Sequence, residues 1–196
     1  MSAALRLGAL AAAAALAAGC ATQSPPPASK PAAAQPAAAA PVTSVAELYA
    51  VFPPAGRLVV FGDRKVYFDY LAHGEVALTR TRIGAAPGGQ TLVFGITNAD
   101  VKANAPSVGE LAYDGKLPAA TPFYGEVVKS GRYYIFGEMK DMKDFIEFGE
   151  VAYGFTDIGV GPNGETLVYV MNKASIQGGK PMDRVQRFKA IRVASR

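Results

Sequence analysis

Few side chains in this sequence are of the kinds that do chemistry, and their spacing limits what they can do. The 196 residues hold one cysteine, Cys20, and one histidine, His73. A lone thiol cannot build a disulfide framework or a Cys-rich zinc site, and a lone imidazole cannot build a multi-histidine metal centre. Met139, Met142, Met171 and Met182 offer soft sulfur ligands of the kind copper takes. The spacing of Met139 and Met142, however, is that of a buried helix stripe. His73 closes a helical pattern, where the helix dipole favours an imidazole. Glu75 and Glu150 could form the carboxylate pair of a glycoside hydrolase, but each follows a glycine suited to a helix C-cap, and bonding to local backbone is their expected role. Gly84…Gly89-Gln90-Thr91 and Gly159…Gly164-Glu165-Thr166 keep the glycine spacing and final threonine of a phosphate loop. Gln90 and Glu165 stand where its lysine belongs, and a strand pattern follows in place of a helix. These segments read as hairpin turns. No catalytic residue, metal ligand or cofactor is assigned.

Two arginines draw more interest. One face of an alternating strand carries Val76, Leu78, Arg80 and Arg82. A matching strand further on carries Val151, Tyr153, Phe155 and Asp157. If the two strands meet about a pseudo-twofold axis, Arg82 pairs with Asp157 and Arg80 stacks on Phe155. The alternative is an arginine-lined cleft for an anionic ligand, or two exposed arginines that guard a sheet edge.

The elements that must position these residues are written twice. Shifted by 75 positions, Gly56–Pro106 matches Gly131–Pro181 without a gap, and 20 of 51 residues are identical. Among them are Gly62/Gly137, Lys65/Lys140, Asp69/Asp144, Gly74/Gly149, Ile83/Ile158 and Pro87/Pro162. Two copies are too few for a solenoid, so a pseudo-twofold pair is expected. Each copy reads as β-β-α-β-β. Strands are expected at Leu48–Phe52, Arg57–Gly62, Glu75–Ile83 and Gln90–Ile96, and again at Phe123–Val128, Arg132–Gly137, Glu150–Ile158 and Glu165–Met171. The pattern Ser44-x-x-Glu47 competes as a helix capping box ahead of the first strand. Helices are expected at Asp63–His73 and Glu138–Phe148, each with an i,i+4 Lys/Asp pair and a C-cap glycine. Thr97-x-x-Asp100 and Asn172-x-x-Ser175 each suit a cap on a short turn. Arg187–Val193 reads as a closing strand. The expected fold is α+β, a tandem duplication of a module of about 75 residues with antiparallel sheet.

Four regions follow. Residues 1–19 have the form of a secretory signal, with Arg6 ahead of an apolar stretch of about a dozen residues, too short to span a bilayer. Residues 20–42 are an Ala/Pro-rich tether: proline breaks helix every few residues, and alanine cannot build a core. Residues 43–117 hold repeat 1, and residues 118–196 hold repeat 2. The net charge of +4 comes mostly from 180–196, where six basic residues face Asp183 alone. The body is near neutral, which argues against nucleic-acid binding.

The signal ends in Leu16-Ala17-Ala18-Gly19-Cys20, which resembles the lipobox of bacterial lipoproteins. The resemblance implies that the Cys20 thiol receives diacylglycerol, that the chain is cut before Cys20, and that the new amine is acylated. Ala21 in place of an aspartate implies transfer to the outer membrane, facing the periplasm. Several acyl chains together anchor stably. The expected function is a non-catalytic binding or assembly module of the cell envelope, anchored by lipid, with an envelope protein as partner. The alternative is a periplasmic carrier or sensor with a small ligand in a groove between the repeats. The sequence does not set the oligomeric state.

Overall fold

A computed structural model describes residues 43–194; Cys20, the signal, the tether and Arg196 lie outside the described residues. Eight strands form one mixed sheet. They are β1 (Val45–Phe52), β2 (Arg57–Phe61), β3 (Thr79–Ala86), β4 (Gln90–Gly95), β5 (Ala119–Lys129), β6 (Arg132–Phe136), β7 (Tyr153–Asp157) and β8 (Thr166–Met171). The order across the sheet is β3-β4-β2-β1-β5-β6-β8-β7. Five helices accompany it: α1 (Arg64–His73), α2 (Asn98–Ala103), α3 (Val108–Tyr113), α4 (Met139–Phe148) and α5 (Met182–Val193).

The expectation of antiparallel sheet is corrected. The hairpins β1–β2, β3–β4, β5–β6 and β7–β8 are antiparallel, but β2–β4, β6–β8 and the central pair β1–β5 are parallel. A helix intervenes between β2 and β3 and between β6 and β7, and each returning hairpin lays its second strand alongside the strand that preceded the helix. Registers recur at the 75-residue offset: Arg57 lies opposite Thr91 as Arg132 lies opposite Thr166, and Thr79 lies opposite Gly95 as Gly154 lies opposite Val170. The first hairpin differs by one residue. Tyr49 pairs with Phe61, whereas Gly125 pairs with Phe136.

The central parallel pair sends the helices to opposite faces. On one face α4 and α3 cover Leu48, Ala50, Leu58, Leu92, Phe94 and Val127. On the other, α1 and α5 cover Tyr49, Phe61, Val93, Tyr124, Tyr133 and Tyr169. Strands buried on both faces explain the near-continuous apolar runs of β2, β6 and β8.

Local chemistry sets the ends. Asp63 caps α1 by accepting from the Val66 N–H, and Gly74 and Gly149 close α1 and α4 in the left-handed region. Thr97/Asp100 form the capping box of α2. Ser107/Glu110 form another on α3, a helix that the sequence reading left unassigned. The expected closing strand at Arg187–Val193 is instead the second half of α5. Val185, Phe188 and Ile191 are buried at helical spacing, and that period of three was the decisive signal.

Candidate functional site

The face under α1 and α5 has a polar interior. Glu126 is fully buried on β5, next to the sheet's central seam. Its carboxylate accepts from the hydroxyls of Tyr67 and Tyr124, the latter at 2.7 Å, and from Arg192 Nη1 at 3.2 Å and Nη2 at 2.5 Å. Beside it on β1, Glu47 accepts from the Tyr49 hydroxyl at 2.7 Å, from Arg64 Nε at 2.9 Å and from Arg187. Register places Glu47 opposite Tyr124 and Tyr49 opposite Glu126, so carboxylates and phenols alternate across the seam. The Tyr49 and Tyr67 rings stack at 4.4 Å. α1 brings Tyr67 and Arg64, and α5 brings Arg187 and Arg192.

Electrostatics follow from burial and partners. Burial, then the negative charge of Glu126, pushes the Tyr67 and Tyr124 phenols well above their usual 10.0. They stay neutral donors. Burial raises the Glu47 carboxyl, but hydrogen bonds from Arg64, Tyr49 and Arg187 outweigh it and hold Glu47 below the usual 4.5. A carboxyl depressed in the folded state stabilises above its unfolded pKa, and that stability is lost as pH falls through its folded value. Glu47→Gln is therefore expected to flatten the decline of melting temperature below about pH 4.5. An unchanged acid limb in a thermal-melt series would show that Glu47 gains nothing from its arginines.

Between α1 and α5, over β6, lies a groove of about 660 Å³. Its apolar lining includes Phe68 and Leu71 from α1, Tyr133 from β6, Phe188 and Val193 from α5, and Val160 from the turn after β7. The two charged side chains on its lining are Lys189 and Arg192. A second hollow of about 680 Å³ opens at Glu47, Arg64 and Phe68. The Arg192 guanidinium lies over the Phe188 ring, 3.4 Å from its centre.

The residues singled out from sequence lie elsewhere. β3 and β7 are opposite edges of the sheet, because the first strands of the two halves, not the third, meet at the seam. The Arg82–Asp157 pair and the Arg80–Phe155 stack are therefore not formed. Arg80 donates to Glu110 at 2.7 Å and to the Ala105 carbonyl at 2.6 Å. Arg82 donates to Asp114 at 2.7 Å and lies over Phe94 at 4.7 Å. Both tie α3 and its approach to the edge strand. Asp157 accepts from Lys180 at 2.7 Å, and Phe155 packs against the α5-side core. Met139 and Met142 are buried in α4, while His73, Glu75 and Glu150 are exposed. The phosphate-loop-like segments turn directly into β4 and β8, with Gly84 and Gly159 both at φ 73°. Among the described residues no group of three or more His, Cys, Asp or Glu side chains is placed to hold a metal ion. No described helix is long and apolar enough to cross a membrane.

The sequence reading missed Glu47, Glu126, Tyr67, Tyr124 and Arg192. One signal was present. Glu126 interrupts the apolar run Phe123–Val128, and a carboxylate in a strand buried on both faces requires partners. No protein-family model, curated protein or solved structure matches the chain.

Proposed function

We propose that the chain is a lipid-anchored, non-catalytic binding protein of the cell envelope, built as one module written twice, with its ligand site in the α1–α5 groove. The observation that carries the reading is a contrast between the two faces. With the one-residue offset in the first hairpin, Glu47 corresponds to Phe123, Tyr49 to Gly125, and Glu126 to Ala50. At the 75-residue offset, Arg64 corresponds to Met139, Tyr67 to Met142, and Arg187 to Ala112. The module thus fills the same place with an apolar core on one face and an ionised network on the other. A buried ion pair is no better for stability than a well-packed apolar replacement. Stability alone gives no reason to keep charges on one face only, and the charged face is the one with the groove.

The reading rests further on the lipobox-like Cys20 and on a groove walled by both halves, with a volume in the range of small-molecule sites. It favours a ligand carrier or sensor over a scaffold, because the buried network reaches the groove through Arg192 and a second hollow through Glu47 and Arg64 rather than an exposed patch. Carboxylates and phenols in the network are consumed by one another, which leaves no free acid–base pair for catalysis.

Mass spectrometry of the full chain extracted from its own membrane tests both halves of the reading. The denatured mass is expected to match a chain beginning at Cys20 plus covalent lipid. The native mass is expected to exceed it, and the excess is expected to vanish in Val160→Asp. An unmodified Cys20 removes the anchor. A native mass equal to the denatured one, in wild type as in the variant, removes the bound ligand.

A further inference from the structure

Resting on the ligand-binding reading of the groove, we infer that its ligand is a free anionic amphiphile with a single acyl chain and a carboxylate head. Three observations point there. First, the groove is open where its counterpart is filled. On the opposite face α4 rests directly on the turn at Pro87–Gly89, and Ile146 is buried. On the α1 face the corresponding Leu71 and the turn residues Pro162 and Asn163 line open space.

Second, the walls are apolar beyond what folding requires. Val160 and Val193 remain 55% and 76% exposed at its edge, and the half-buried Phe68 lines it. An alkyl chain covers such surface at roughly 0.8 kcal/mol per buried CH₂.

Third, the charge is of one sign. The lining holds Lys189 and Arg192 and no carboxylate. Glu126 is already saturated by two phenols and the two Arg192 Nη groups, so the buried pair is neutral and Lys189 sets the net charge of the lining. Arg192 Nε is the one buried side-chain nitrogen or oxygen among the described residues without a hydrogen-bond partner. A buried N–H donor left unpaired is costly, and a carboxylate oxygen is the acceptor that would complete it. A head group between Lys189 and Arg192 with its chain along Phe68, Leu71 and Val160 meets all three.

Residues 21–196 contain all of the described residues, 43–194, and they serve for the test without covalent lipid. Calorimetric titration below the aggregation limit is expected to show one oleate per chain. Oleyl alcohol should bind at least tenfold more weakly. Lys189→Glu, on an exposed position, should weaken oleate about tenfold while leaving the alcohol unchanged, and Val160→Asp should weaken both. Equal binding of acid and alcohol, or an unchanged affinity in Lys189→Glu, overturns the anionic head. If oleate fails to bind while the membrane-extracted chain still carries a native mass excess lost in Val160→Asp, the amphiphile falls and the groove stands. If there is neither oleate binding nor an excess, both fall.

Discussion

Arg192→Met is expected to lower stability by about 3–5 kcal/mol, the largest effect of any single substitution on the α1–α5 face. The reason is what it leaves behind. Glu126 is wholly out of water, and its charge is balanced only by Arg192, whose side chain is 14% exposed. Removing the cation strands a buried anion held by two phenol donors, whose own burial already keeps them from giving up a proton. At this chain length the loss is about 10 °C in melting temperature. Glu126→Gln with Arg192→Met should lose less than the sum of the single changes, with a coupling of about 1–3 kcal/mol. The readout is the urea midpoint of each of the four proteins in the cycle. Additivity within about 0.5 kcal/mol would mean that the pair is not coupled and that the network is a set of independent contacts.

Gly62→Ala comes next, at about 3 kcal/mol, the upper end of what overpacking costs. Gly62 follows β2, and a Cβ there would fall onto the backbone N of Gly109 in α3, with the Val108 carbonyl carbon at 2.9 Å. The approach is mutual, since a Cβ on Gly109 would lie 2.8 Å from Gly62 N. Backbone meets backbone, and neither can turn aside. The corresponding Gly137 provides the control. The atoms nearest its Cβ would be those of the Arg184 side chain, at 3.3 Å and beyond, and that side chain can yield by a few tenths of an ångström. Gly137→Ala is expected to cost under about 1 kcal/mol. Equal losses at the two sites would mean that α3 can move away from β2, and that its contact is looser than the glycine pair implies.

These two experiments probe opposite faces, and together they test why the faces differ. On the α3 face a small-residue contact and an apolar core bring the helix close. On the α1 face arginines from two helices reach in to two carboxylates on adjacent central strands. The second solution holds α5 through Arg187 on Glu47 and Arg192 on Glu126, and it leaves the groove open above them.

Period and punctuation within single segments were enough to place much of this. Alternation and aromatic runs located β2, β4, β6 and β8 to within a residue or two. Asp63, Gly74 and Gly149 marked helix ends because a cap is a local hydrogen bond or a local φ. One local signal competes with the structure and one expectation is overturned. Ser44-x-x-Glu47 has the form of a helix start, but the strand expected at Leu48–Phe52 is formed, and Glu47 serves Arg64 and Arg187 from the same strand, β1. The strand expected at Arg187–Val193 is the second half of α5, where Val185, Phe188 and Ile191 carry the helical period.

What tertiary structure alone decided is pairing between distant segments. Hairpin signals carry no information on whether β1 meets β5 in parallel, and that one choice places β3 and β7 at opposite edges. It separates Arg82 from Asp157, sends α1 and α4 to opposite faces, and brings Tyr67, Tyr124, Glu126 and Arg192 together from positions up to 125 residues apart. Charge, burial and helix period are written residue by residue and can be read so. A site assembled across the seam exists only after the loop between the halves has closed, and no spacing along the chain encodes that contact.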